Sequence, residues 1–207
     1  MENRVRVWYL PGWMRCHAAD DEALRAASAI FGEGNVALRD WDGNKIHWKT
    51  AVANADAEIS RVVAAIASLT DDQRKQLVLV GHSLGGRIVA RTLAQLADRG
   101  LKIRQGILLG AAIRDDDPDL LRMGSGSSES VWVICNPDDN LLKYVYATVG
   151  GEGGAALGTN GSAQPLSNCR ELPVPPDIVR QTDISAAWGV NDAIKEIANH
   201  YAEVGQL

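Results

Sequence analysis

The sequence predicts an α/β fold built on a doubly wound, mostly parallel sheet, and three features carry that reading. Short apolar runs that suit strands alternate along the chain with longer stretches whose apolar residues recur at helical spacing. One run, Gln76 to Val80, is apolar almost throughout, as a strand buried on both faces must be. It ends at Gly81, and a helical stripe begins directly behind the next turn.

In chain order, Val5, Val7 and Tyr9 alternate with Arg6 and Trp8, a period of two that predicts a strand stopped near Leu10 by Pro11-Gly12. Ala18 to Ile30 reads as a helix, started by Asp20 and Asp21 and ended by Gly32, and Val36 to Asp40 as a short strand. From Val52, the positions Ala55, Ile59, Val62, Val63, Ile66 and Leu69 form the stripe of a helix packed on the sheet. Behind Gln76 to Val80, the stretch Leu84 to Asp98 puts Ile88, Val89, Leu93 and Leu96 on one stripe, with Arg87, Arg91 and Gln95 opposite. Arg104 to Gly110 and Val131 to Cys135 read as two further buried strands, separated by a surface loop from Arg114 to Ser130. Leu141 to Val149 suits a short helix, and the glycines between Gly150 and Gly161 imply a mobile or closely wound segment. No internal repeat and no second domain are visible, so one domain over residues 1–207 is expected.

Composition narrows the function. With 46% hydrophobic and 23% charged residues, the chain has enough apolar surface to form a core. A net charge of −5 argues against a nucleic-acid partner, which clustered Lys and Arg would have to hold. Cys16, Cys135 and Cys169 have neither the even count of a disulfide framework nor metal-ligand spacing, so a reducing, cytoplasmic setting and no metal site are expected. The charged residues Glu2, Arg4 and Arg6 interrupt what would have to be the apolar core of an export signal. No apolar run approaches the ~20 residues of a bilayer span, so a soluble chain is expected.

The chemistry is concentrated in Gly81-His82-Ser83-Leu84-Gly85, which fits the Gly-x-Ser-x-Gly pattern and is followed by Gly86. Glycines on either side let the backbone turn sharply from strand to helix and leave the Ser83 hydroxyl at the tip. A turn that merely allows close packing would look similar, but the strand before it and the helix behind it are the context the motif requires. A phosphate-binding loop is excluded, since Gly86-Arg87-Ile88 lacks the Lys-Ser or Lys-Thr pair.

A serine hydroxyl needs a base, and the base needs a carboxylate to orient it. His82 adjoins Ser83, but neighbouring side chains at a tight turn diverge, so it reads as a structural neighbour. Asp138 and Asp139 follow the strand Val131 to Cys135, where reactive groups collect in such sheets. Either suits the acid, with the Asp115 to Asp117 cluster ranked behind them as a solvated loop. His200 is the base by elimination, with His17 and His47 as fallbacks. The backbone N–H of Leu84 and that of Trp13, in the turn after the first strand, are the expected oxyanion donors, with Met14 next. Trp13, Trp41 and Trp48 are candidates for the wall of an apolar acyl pocket, or else for plain core.

From Leu10-Pro11-Gly12-Trp13 through Gly81-His82-Ser83-Leu84-Gly85-Gly86-Arg87 to the terminal histidine, the chain resembles the α/β-hydrolase superfamily. A narrower likeness is to hydrolases of the transmembrane and coiled-coil domain type. It rests on Ile107-Leu108-Leu109-Gly110-Ala111, on Asp139-Asn140-Leu141-Leu142-Lys143-Tyr144-Val145-Tyr146, on Leu157-Gly158-Thr159-Asn160-Gly161 and on Thr182-Asp183-Ile184-Ser185. The resemblance implies a compact hydrolase fold without a large cap domain, and it favours Asp139 as the acid. One departure is plain: Trp188-Gly189-Val190-Asn191 stands where those relatives tend to carry their histidine. The expected activity is cleavage of a carboxylic ester of a small-molecule or lipid-like acyl substrate, by Ser83, His200 and Asp139, without metal or organic cofactor. A thioesterase, an amidase and a catalytically silent binding module are the alternatives. The transmembrane segments of the larger relatives are not visible here, so membrane attachment is not expected.

Overall fold

The computed structural model describes residues 5–13, 24–25, 27–29, 31–43, 47–139, 142–143, 146 and 153–173. Strands β1 (Arg6–Leu10), β2 (Val36–Leu38), β3 (Leu77–His82), β4 (Ile103–Leu109), β5 (Ser128–Cys135) and β6 (Cys169–Pro173) form one six-stranded sheet in the order β2-β1-β3-β4-β5-β6. Every neighbouring pair is parallel, so all the strands end on the same rim. β3 lies inside, with Leu10 opposite Gly81 on one side and Leu109 opposite His82 on the other.

Alternation along the strands divides the core in two. Val7, Tyr9, Val78, Val80, Ile107, Leu109, Trp132 and Ile134 pack on one face, where Leu24 and Phe31 of a helical stretch lie against them. Leu10, Leu77, Leu79, Leu108, Val131 and Val133 face the other way, under helices α1 (Trp48–Ala67) and α3 (Leu84–Asp98). The chain from β1 to β2 thus crosses one face and α1 returns over the other, which makes the junction of β1 and β3 the switch point where such sheets open a crevice.

α1 buries Trp48, Ala51, Ala55, Ile59, Val62, Val63 and Ile66, the stripe expected from its sequence but begun one turn earlier. A single-turn helix, α2 (Asp71–Arg74), is started by a reciprocal capping box between Thr70 and Gln73. The surface-loop reading of Arg114 to Ser130 is corrected: α4 (Pro118–Met123) forms there, buries Leu120 and Met123, and is capped by the Asp117 carboxylate on the Asp119 N–H. β5 also starts at Ser128, ahead of the expected Val131. β6 carries little of a strand's pattern because it closes the sheet as an edge and leaves Arg170, Glu171 and Pro173 exposed. α5 (Leu157–Asn160) is a closely wound turn whose Leu157, Gly158 and Thr159 are buried. Among the described residues no helix is long and apolar enough to cross a membrane, and no group of His, Cys, Asp and Glu could hold a metal ion.

Candidate active site

Ser83 stands at the C-terminal end of β3 and caps α3, half-buried, with φ 52° and ψ −117°. It is the only described residue other than glycine with positive φ. Such a backbone is costly for a side chain bearing a Cβ and persists only where its surroundings over-determine it. They do so here. The Ser83 N–H donates to the Leu109 carbonyl at 2.9 Å, and the Ser83 carbonyl accepts from the Ala112 N–H at 2.9 Å. The hydroxyl does not cap the helix it precedes.

The flanking glycines are required by space. A Cβ on Gly81 would lie 2.3 Å from the Gly85 carbonyl oxygen, and one on Gly85 would lie 2.0 Å from that of Leu10. The turn around Ser83 and the end of β1 are therefore in backbone contact. A Cβ on Gly12 would stand 3.1 Å from the Ser83 Cβ and 3.1 Å from the His82 Nδ1, which puts the turn after β1 directly beside the serine. The Trp41 indole fixes that turn by donating Nε1–H to the Pro11 carbonyl at 2.9 Å, in a buried position.

The expected oxyanion donors thus flank Ser83 in the chain or in space. Leu84 is fully buried as the first residue of α3, and half-buried Trp13 follows Gly12. Trp13 meets Trp48 edge to face with ring centroids 5.2 Å apart, and Trp48 meets Tyr146 in the same way at 6.3 Å. Trp41 and Trp48 are buried core residues, so of the three tryptophans considered as pocket wall, Trp13 is the accessible one.

Asp138 and Asp139 lie where a β-strand delivers them, in the turn after β5. The Asn136 Oδ1 accepts the Asp138 N–H at 2.9 Å, and the Asn136 carbonyl accepts the Asp139 N–H at 3.1 Å. Asp138 is exposed whereas Asp139 is half-buried, and the Asp139 Oδ1 accepts the Leu142 N–H at 2.7 Å. His47 is exposed at the start of α1, and the His82 ring rests against Gly12. His200, His17 and Met14 lie outside the described residues, as does the stretch 182–191.

Sequence reasoning missed an ion-pair network behind the serine. Arg87, expected on the outer face of α3, is only 3% exposed and pairs with Asp56 of α1. Arg91 joins Asp56 at 2.9 Å to Asp117 at 3.1 Å, so α1, α3 and α4 share one set of charges. Asp117 is accordingly buried, which corrects its reading as part of a solvated cluster; Asp116 is exposed and pairs with Arg114, which holds its carboxyl below the usual range. The signal available was the arginine placed straight after the glycine pair, one turn into a helix whose buried end repels cations. The cysteines stand apart: burial, then the Glu171 carboxylate, pushes the Cys135 thiol up and that of Cys169 up to about 12. Neither is a thiolate at neutral pH.

Solved structures share this arrangement of sheet and helices. The fold is similar to that of the Pyrobaculum calidifontis esterase, with a TM-score of 0.51 and 15% identity over 99% of this chain and 78% of that one. It is similar also to the HSL-homolog EstE7 from a metagenome library, with a TM-score of 0.51 and 10% identity over 97% of this chain and 78% of that one. At such identities the likeness shows the α/β-hydrolase fold and nothing finer. No curated protein matches the sequence. The family described as "Protein of unknown function (DUF726)" matches residues 44–164, from just ahead of α1 to just past α5. That match spans more than half of the 207 residues, and the chain belongs to this family.

Proposed function

We propose that the protein is a single-domain serine hydrolase that cleaves a carboxylic ester of a small-molecule or lipid-like acyl substrate. The observation that carries the reading is the Ser83 backbone: a strained φ of 52° held at the tip of an interior strand, with the side chain left partly open. Strain of this kind concentrates where a reactive group has to be presented.

In the proposed reaction the Ser83 Oγ attacks the acyl carbon, and its proton passes to the His200 imidazole. The charge gathering on the carbonyl oxygen is met by the N–H groups of Leu84 and Trp13, the first aided by the positive end of α3. Asp139 orients the imidazole through the carboxylate oxygen that does not cap Leu142. Collapse of the adduct expels the alcohol, which takes the proton from His200 and leaves an acyl-serine. Water, deprotonated by His200, then releases the acid and restores the hydroxyl. The accessible Trp13 beside Ser83 supports an apolar acyl group over a charged one.

Labelling by a fluorophosphonate tests the reading. The parent protein should be labelled, Ser83→Ala should not, and His200→Ala should be labelled far more slowly; equal labelling of all three would reject the triad. Nitrophenyl esters of increasing chain length, with thioester and amide counterparts, would then separate esterase from thioesterase or amidase. A catalytically silent fold used for binding is the second reading. It is favoured by Trp188-Gly189-Val190-Asn191 standing where the resemblance places a histidine, and inactivity on every substrate would select it.

A further inference from the structure

The segment Leu157-Gly158-Thr159-Asn160-Gly161 is part of the sequence likeness, yet it contributes no side chain to the proposed reaction. Its backbone lies between the loop after β4, which holds the Ser83 carbonyl, and the loop after β5, which carries Asp139. The Leu157 N–H donates to the Ile113 carbonyl at 2.8 Å, and the Gly158 N–H donates to the Ala111 carbonyl at 3.0 Å, just past the end of β4. On its other side the Gly158 carbonyl accepts the Asn136 N–H at 2.8 Å, just past the end of β5. A hydrogen-bonded path therefore runs from the Ser83 carbonyl to the Ala112 N–H, through Ala111 to Gly158, and on through Asn136 to the Asp139 N–H.

Residue 158 has to be glycine because of distance alone. A Cβ there would lie 2.2 Å from the Gly110 carbonyl carbon and 2.3 Å from the Ala111 nitrogen, both backbone atoms that cannot swing away. The turn is held in register by Thr159, a buried residue whose hydroxyl donates to the Ala156 carbonyl at 2.7 Å.

We propose that Gly158 is a positioning residue: by bridging the loops after β4 and β5 it sets where Asp139 stands relative to Ser83. The inference rests on the reading of Ser83 and Asp139 as members of a triad. Moving the loops apart by a fraction of an ångström takes the carboxylate out of reach of the imidazole that it orients, and displacements of that order cost large factors in rate.

The test is a double-mutant cycle on the full chain, read as kcat/KM on a nitrophenyl ester. Gly158→Ala should lower kcat/KM by about tenfold to a hundredfold, chiefly through kcat. In an Asp139→Asn background the same change should cost almost nothing further, because the carboxylate it would misplace is already gone. Equal losses in both backgrounds, or no loss in either, would overturn the proposal. Should Gly158→Ala fail to give folded protein, Thr159→Val loosens the same turn without a backbone collision. Thr159→Val should then lose rate, Thr159→Ser should restore it, and both effects should vanish with Asp139→Asn; a persisting loss there would also overturn it. If Ser83→Ala retains labelling by fluorophosphonate, the triad reading itself has failed, an outcome distinct from a parent-like Gly158→Ala in a protein whose labelling depends on Ser83.

Discussion

Arg87 grips Asp56 with two side-by-side hydrogen bonds, Nε to Oδ1 at 2.9 Å and Nη2 to Oδ2 at 3.2 Å, one turn behind Ser83. The guanidinium is buried while the carboxylate is partly open to water. Removing the carboxylate therefore takes away the anion that the buried Arg87 shares with Arg91. Asp56→Ala should cost about 3 kcal/mol, the low end for breaking a buried pair because Asp56 is itself partly solvated. Arg87→Met, which removes the charge and keeps the volume, should cost less; urea unfolding of both variants checks the order.

The strained serine gives a comparison between two variants that both lack the hydroxyl. Ser83→Ala keeps a Cβ at φ 52°, whereas Ser83→Gly does not. Release of strain should exceed the extra freedom glycine has when unfolded, leaving Ser83→Gly more stable than Ser83→Ala by about 1 kcal/mol. Equal urea midpoints would show that the turn is unstrained.

Gly85 tests the contact between the Ser83 turn and β1. Its missing Cβ would lie 2.0 Å from the Leu10 carbonyl oxygen, so Gly85→Ala should cost about 3 kcal/mol or more. Gly124→Ala is the control, since its nearest contact would be an ordinary 3.4 Å. Thermal midpoints of the two variants should separate widely.

Trp41→Phe deletes the donor to the Pro11 carbonyl and leaves a buried acceptor unpaired, at a cost of about 1–2 kcal/mol. Because Pro11 belongs to the turn proposed to supply an oxyanion donor, kcat should fall more than KM rises. A change in KM alone would place the turn in substrate binding only.

The Cys169 thiol predicts an alkaline limit. Its pKa is raised from 9.0 to about 12, first by burial and then by Glu171, so the folded state keeps a proton that the unfolded chain gives up. The stabilisation is complete below pH 9 and is lost as pH rises toward 12. Urea midpoints should fall across that interval, and Cys169→Ala should flatten the decline.

Much of the fold was legible because its signals are local. The apolar run into Gly81, the stripe of α3 and the glycines around Ser83 each follow from the space allowed at one turn. Asp56 and Arg87 were not legible: they stand 31 positions apart, and nothing in either helix says that the two meet. α4 was hidden because its six residues are too few to show a helical period, and the burial of Leu120 and Met123 beside α3 selects the helix. Between Asp138 and Asp139 only the resemblance chose, in favour of Asp139; the folded turn gives them different exposure and makes Asp139 a cap.

Since every strand runs the same way, the loops that leave the C-terminal ends of the strands open onto one rim of the sheet, the rim that carries Ser83. Lengthening or recolouring those loops alters what can approach the serine while the framework beneath goes untouched. The rim can thus be rebuilt while the sheet folds as before.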